Sequence, residues 1–396
     1  VSAFLHRDAI ERATAEIKCG VISFYAKIFG MTAQNTQPTQ RQDIGAETKA
    51  EIFNQPESWQ GASNAVKANA GHLGTFFAEH RDKPVIFVGC GSPYYLDLTA
   101  AAVYRSLTGQ WAIALPASEI LYHLEAAFPG KTTPLVVAVS RSGETSELMA
   151  ACRRLKDERN SPLVAISVSE GTTLERIADV NVYIQNAAEK SVAQTRSFSA
   201  MLLATLGTVS VAAQNQALLN ELEHIPAQAA GYLERIKQPI ADVIGRGFDR
   251  VFILGSGLRY GLANEGSLKM KEMSITNAEP FHFMEFRHGP QSMVDDHTLI
   301  VGLVSPHAAA AETQVLHELV GYGGTVVAVG PVSQPSTDPR YVQIEMPGGL
   351  SEVAQLPFYM PALHLLAFNQ AMRKGMNCDS PRNLYAWIKL PELDAK

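Results

Sequence analysis

Cysteine is scarce in this chain. Its 396 residues hold four, Cys19, Cys90, Cys152 and Cys378, and no two form a CxxC pair, so neither a zinc site nor a disulfide framework is indicated. No apolar run approaches the roughly 18 residues that a membrane-spanning helix needs. Positive charge is not in excess either: 33 Lys and Arg stand against 39 Asp and Glu, a formal net charge of −6, which gives no support to a nucleic-acid partner. The fairly apolar, amphipathic stretch 17–30 is preceded by charge from Arg7 onward and followed by no small-residue cleavage site, which argues against a signal peptide. Together these absences point to a cytoplasmic location.

What is present is the composition of a soluble globular protein, 46% apolar and 18% charged, with length enough for two domains that each bury a core. Residues 1–45 read as an N-terminal extension. Two readings of it stay open: a start assigned from a valine-type codon, with Met31 the native first residue, or a helical arm that packs on a partner subunit.

From residue 46 the chain reads as helix at 46–60, closed by Pro56, and helix at 63–80. Buried strand-like runs then recur at 84–89 (PVIFVG), 111–115, 135–139, 163–168 and 180–184, with helical stretches at 94–107, 118–127, 145–158 and 173–177 between them. Such alternation marks a doubly wound α/β unit with a parallel sheet and ligands at the carboxyl ends of its strands. Residues 197–214 and 218–245 are alanine- and leucine-rich, helical, and read as a connector. The pattern then restarts with a strand at 251–254, a helix to about 276, and strands at 299–304, 325–329 and 341–344. Gly89-Cys90-Gly91 answers Gly255-Ser256-Gly257, Ser140 answers Ser305, and LVAIS at 163 answers VVAVG at 326, all at nearly one spacing. Two copies of one unit account for this.

Neither glycine turn completes G-x-G-x-x-G, since positions 94 and 260 are both tyrosine, and a dinucleotide site is disfavoured. The turn at 140–145, SRSGET, is more informative. It joins an apolar strand directly to a helix, where unpaired N–H groups and the positive end of the helix dipole converge on one point. Ser140, Ser142 and Thr145 add hydroxyls and Arg141 adds charge, so the turn reads as a phosphate cradle. The plainer alternative is a capped helix, with Ser142 or Thr145 as cap and Glu144 complementing the dipole. Three hydroxyls and an arginine exceed what a cap needs. The second copy has Ser305-Pro306-His307-Ala308 here and has lost the cradle.

A second concentration is 265–290, EGSLKMKEMSITNAEPFHFMEFRHGP. On a helix, Glu265, Lys269 and Glu272 share one polar face, with Leu262, Met270 and Met273 on the buried side. The bland reading is a surface ion-pair ladder, worth roughly a few tenths of a kcal/mol. A carboxylate beside a lysine, followed by a His-Gly-Pro turn that fixes the imidazole of His288, instead suits proton transfer next to a carbonyl. His282 and His297 read as ordinary core or surface residues.

SRSGET at 140–145, SLKMKE at 267–272 and FRHGP at 286–290 resemble motifs of the sugar isomerase (SIS) family in its tandem-domain form. The likeness is in particular to the isomerase half of glucosamine-6-phosphate synthase and to the AgaS-like amino-sugar-phosphate deaminase/isomerases, over roughly 46–385. The resemblance implies two tandem doubly wound, flavodoxin-like SIS domains with parallel sheets, at 46–215 and 246–380, a helical connector at 216–245 and a tail at 381–396. It also implies that Gly91, Ser92, Ser140, Arg141, Ser142 and Thr145 bind a sugar phosphate, that Glu272 moves the proton between C1 and C2, that Lys269 assists, and that His288 opens the sugar ring. The family's dimers borrow that histidine from the neighbouring subunit, so a homodimer is implied. A further substrate-lining segment matches SVAQTR at 191–196, which brings in Val192 and Gln194.

Two departures bear on function. No glutaminase domain precedes the repeat in this sequence and no N-terminal cysteine nucleophile is present, which argues against glutamine-dependent synthesis. The tail keeps Pro381-Arg382-Asn383-Leu384 but has Ala386 where the synthase carries its Schiff-base lysine; Lys389 is the candidate replacement. The expected activity is an amino-sugar-6-phosphate deaminase/isomerase that needs no metal or organic cofactor, because the adjacent carbonyl or iminium acidifies the C–H. The alternatives are an aldose–ketose phosphosugar isomerase, a fructosyl-amine-phosphate deglycase, and a non-catalytic phosphosugar-binding regulator. The expected partners are a sugar phosphate and a second copy of the chain, with no nucleic acid and no membrane.

Overall fold

Continuous apolar runs become strands buried on both faces. In the computed structural model, which describes residues 44–128 and 130–394, VIFVG, LVVAVS and LVAIS form strands with every residue buried, as parallel sheets covered on both sides require. The expectations for residues 1–43, Met31 included, lie outside the described residues.

The first part runs α1 (Ala46–Phe53), α2 (Gln55–Glu79), β1 (Val85–Gly89), α3 (Ser92–Thr108), β2 (Ala112–Pro116), α4 (Ala117–Ala127), β3 (Leu135–Ser140), α5 (Ser146–Arg159), β4 (Leu163–Ser167), α6 (Thr173–Ile177) and β5 (Val180–Tyr183). Helices α7 (Arg196–Ala212), α8 (Gln216–His224) and α9 (Pro226–Gly245) follow. The second part runs β6 (Arg250–Gly255), α10 (Tyr260–Ser274), β7 (Asn277–Phe281), α11 (Phe283–Phe286), β8 (Thr298–Leu303), α12 (Ala309–Gly321), β9 (Thr325–Val329), β10 (Tyr341–Ile344), α13 (Glu352–Arg373) and α14 (Pro391–Asp394).

The first sheet has the order β2-β1-β3-β4-β5, and the second, read from its β7 edge, repeats it as β7-β6-β8-β9-β10. All pairings are parallel, with Val85 opposite Leu135 between β1 and β3 and Arg250 opposite Thr298 between β6 and β8. This is the flavodoxin-like α/β fold, twice. Connections leave the carboxyl ends of β1 and β3 in opposite directions, which opens a crevice between the turn after Gly89 and the turn after Ser140.

Several local expectations change. Pro56 does not close the first helix; it lies in the first turn of α2, where its missing N–H costs nothing. Residues 197–214 are no mere connector, since α7 is buried from Ser197 through Ser210 and packs along α2. The run 218–245 divides at Pro226, which starts α9. Strand β7 had no sequence signal: NAEPF carries a proline, tolerated because β7 is the sheet edge. Helix α13 is apolar almost all round and holds Pro357 and Pro361, so it shows no amphipathic period.

The two sheets share a core. The Trp59 ring of α2 and the Tyr232 ring of α9 both meet Phe358 of α13 edge-on, at 5.2 and 5.3 Å between centroids. Helix α10 packs directly on α3. Gly261 permits this, because a Cβ there would stand 2.3 Å from the Tyr95 carbonyl oxygen and 2.6 Å from Thr99 Oγ1. That contact carries the charged face of α10 to the end of β1.

Candidate active site

Beyond Ser140 the chain reverses through Gly143, whose φ of 62° favours glycine. Ser140 Oγ accepts from the Gly143 N–H at 3.0 Å, and Ser142 Oγ from the Glu144 N–H at 3.2 Å. Thr145 occupies the N-cap of α5 but makes no side-chain cap bond. Glu144 does not serve that helix: its carboxylate accepts from Thr173 N at 2.6 Å and Thr173 Oγ1 at 2.9 Å, holding the start of α6. Neither residue named as a cap therefore caps α5: Thr145 makes no cap bond and Ser142 spends its hydroxyl inside the turn, while Glu144 is engaged by Thr173.

Arg141 is differently placed from its sequence reading. Its guanidinium is nearly buried and donates from Nη1 to the carbonyls of Ser191 (3.2 Å) and Val192 (2.9 Å) and from Nη2 to the carbonyl of Ala386 (2.8 Å), with Glu189 at 3.6 Å. Its charge is used to hold two chain segments.

The polar face of α10 is not a surface ladder. Glu265 and Lys269 are wholly buried, and the Glu272 side chain keeps 18% exposure. Lys269 Nζ contacts Glu272, lies 3.3 Å from Glu265 Oε1, and donates to Ser92 Oγ at 3.1 Å. Burial alone would lower the ammonium's pKa, but the carboxylates of Glu265 and Glu272 outweigh it and hold Lys269 in its charged form. Burial pushes the Glu265 carboxyl up to about 8 against the opposing pull of Lys269. Behind them His364 is fully buried without a hydrogen bond to either ring nitrogen, and burial, with Lys269 adding, drives its pKa down to about 3.

These parts meet in one cavity of about 200 Å³. Gly91 and Ser92 line it from the first turn, Ser140, Arg141, Ser142 and Thr145 from the second, Val192 and Gln194 from the loop before α7, and Lys269 and Glu272 from α10. Ten of the twelve residues expected from the sequence are thus brought together. His288 and Lys389 are not: both are exposed and neither lines the cavity. The tail segment 384–388 lines it instead, including Ala386 and Trp387. Cys90 also lines it, but burial, reinforced by Glu147, pushes its thiol up to about 12, so it is no nucleophile at neutral pH. Sequence reasoning gave Glu265 no role; its spacing from Lys269 was visible, but burial was not.

The corresponding turn of the second sheet is closed by the protein itself. The Ser305 N–H donates to buried Glu312 at 2.6 Å, and Arg259 pairs with Glu352 at 2.7 Å. A carboxylate sits on the N–H group that an anion would use.

The family model described as SIS domain matches residues 80–210 and 247–331. An isomerizing glutamine–fructose-6-phosphate aminotransferase of Caulobacter vibrioides is 32% identical over 313 residues, 75% of this chain and 50% of that protein. The chain spans about half the length of the first such relatives it matches. Among solved structures, tagatose-6-phosphate ketose/aldose isomerase from Escherichia coli superposes with a TM-score of 0.74 at 23% identity, covering 85% of this chain and 95% of that one. Glucosamine-6-phosphate deaminase from Thermotoga maritima gives 0.68 at 23% identity, covering 87% and 100%. At these identities the structures show a shared fold.

Proposed function

This chain belongs to the SIS domain family, and on that premise we propose that it is an amino-sugar-6-phosphate deaminase/isomerase. One observation carries the reading: the Lys269–Glu272 pair of the second half faces the hydroxyl-lined turns of the first half across a single cavity. The phosphate sits at the Ser140–Thr145 turn, held by backbone N–H groups and hydroxyls at the start of α5. Glu272 is the carboxylate of the triad that reaches the cavity. It removes the C2 proton of the open-chain hexosamine 6-phosphate and returns it to C1, while the amine nitrogen gives up one proton and the C1 oxygen gains one, giving a C2 ketimine. Water adds at C2 and ammonia leaves, yielding a ketose 6-phosphate. Lys269, charged and fixed by Ser92, stabilises the negative charge that develops on the C1 oxygen. His288 opens the ring from a second copy of the chain, which makes the working unit a homodimer. That the fold is shared with a protein named as a glucosamine-6-phosphate deaminase supports the assignment.

The test is ammonia release from glucosamine, galactosamine and N-acetylated hexosamine 6-phosphates, with Glu272→Gln as control. Ketose formation without ammonia from an aldose 6-phosphate indicates the simple isomerase. Binding with neither product leaves a phosphosugar sensor and overturns the enzyme reading.

A further inference from the structure

Arg141 sits in the middle of the turn assigned to phosphate, yet its donors point away from it. Three of its hydrogen bonds go to main-chain carbonyls: two on the 191–192 segment and one on Ala386 in the tail. The first of these segments is itself rigidly held. Glu189, whose side chain is fully buried beside Arg141, accepts from Thr195 N at 2.7 Å and Thr195 Oγ1 at 2.8 Å. Glu51 accepts from the N–H groups of Lys190 and Ser191 at 2.6 and 3.3 Å. The tail is held differently. Beyond Ala386, the Ser146 N–H donates to the Ile388 carbonyl at 3.3 Å and Ser146 Oγ accepts from the Leu390 N–H at 2.9 Å. Both anchors, Arg141 and Ser146, belong to the phosphate turn and the first residue of α5. Between the tail residues they hold, Ala386 and Ile388, the sequence places Trp387, which lines the main cavity and also a smaller one that shares Arg141 and Ala386 with it.

The tail is therefore fastened to the guanidinium of Arg141 and to the N–H and hydroxyl of Ser146, within and directly after the turn assigned to the anion. Buried arginine donors bonded to carbonyls are costly to release, because each freed group would be left unsatisfied. We propose that Arg141 is a positioning residue and not a phosphate ligand: it ties the 384–390 segment to the phosphate turn, so that anion binding at the turn and seating of the tail over the cavity are one coupled event. This rests on the phosphate assignment made above. Coupling of this kind is reciprocal, so the tail also strengthens anion binding.

The experiment uses the full chain, inorganic phosphate as probe, tryptic cleavage at the exposed Arg382 and Lys389 as a reporter of tail seating, and Trp387 fluorescence as a reporter of binding, in a Trp111→Phe background where the one other tryptophan, Trp59, is wholly buried. In the parent protein, phosphate slows tail cleavage and changes the fluorescence. In Arg141→Gln the tail is cut at one rate with or without phosphate, phosphate binds about tenfold more weakly, and with a substrate KM rises and kcat falls together. Arg141→Lys, one donor group in place of a fork, recovers part of the binding but little of the protection. Retained protection in Arg141→Gln with weakened phosphate binding would mean a direct ligand and overturns the proposal, as does an unchanged profile. Where Arg141→Gln fails to fold, Ser146→Ala decides: it frees the Leu390 anchor, and tail protection by phosphate that persists undiminished counts against coupling. No response of the parent protein to phosphate overturns the phosphate assignment along with this one.

Discussion

Lys269 Nζ donates to Ser92 Oγ at 3.1 Å, across 177 residues of sequence. The bond is made possible by the close packing of α10 on α3 and sets the charged residues of the second half against the first turn of the other. Its consequences can be measured residue by residue.

Removing the lysine leaves Glu265 and Glu272 facing each other with no cation between them. Lys269→Ala is expected to lose about 3–5 kcal/mol of stability, the usual cost of breaking a buried pair from one side, and to abolish turnover. Urea unfolding followed by circular dichroism checks this; an unchanged midpoint would show that the triad is not paired in solution.

Glu272→Gln keeps the size of the side chain and removes the base. Turnover should fall by a factor of about 10² to 10⁴ while the affinity for a hexosamine 6-phosphate stays within about twofold. Steady-state kinetics and calorimetric titration separate the two, and full residual activity would rule out Glu272 as the proton carrier.

Glu265 titrates with a sign of its own. Its folded pKa of about 8 lies above the ordinary 4.5, so between these values the native state binds more protons than the unfolded chain, and its contribution to stability declines as pH rises. Glu265→Gln should flatten this: the melting temperature of the variant, relative to the parent, is expected to climb from pH 5 to pH 8. A constant difference across that window would contradict the assignment.

His364 gives the opposite slope. With its folded pKa at about 3, below the ordinary 6.5, the neutral ring is favoured in the fold and stability is lost as pH falls from 6.5 toward 3. His364→Leu removes a buried ring without hydrogen bonds and should melt higher than the parent at pH 5, with the gain shrinking toward pH 7.5.

At Gly143 a Cβ would meet Thr172 Oγ1 at 2.4 Å and Thr172 Cβ at 2.6 Å, in a backbone conformation that disfavours side chains. Gly143→Ala is expected to cost about 1–3 kcal/mol and to weaken phosphate binding more than Ser142→Ala does. Thermal unfolding and phosphate titration of the two variants compare them directly.

The repeat of β-α units, the strands VIFVG, LVVAVS and LVAIS, and the SRSGET turn were legible because they are local. A run of apolar residues bounded by glycine and hydroxyl residues has few other uses, and the spacing of Glu265, Lys269 and Glu272 fixes them to one helix face. Strand β7 and helix α13 escaped for equally local reasons. Pro280 and the charge of Glu279 hide an edge strand, and α13 lacks a polar face because it is covered on all sides.

What the order of residues could not reveal is where a side chain's polar atoms end up. SRSGET looks the same whether Arg141 faces an anion or, as the fold has it, the carbonyls of Val192 and Ala386. The α10 face reads as a solvent ladder until Gly261 lets α3 cover it, and burial then raises Glu265, holds Lys269 charged and leaves Glu272 the carboxylate with access to the cavity. The sequence by itself determined which chemical groups are available and on which elements they ride. Tertiary structure decided which of them are desolvated, which are already bonded, and so which remain to act, because burial and partnership depend on chain segments far apart in sequence.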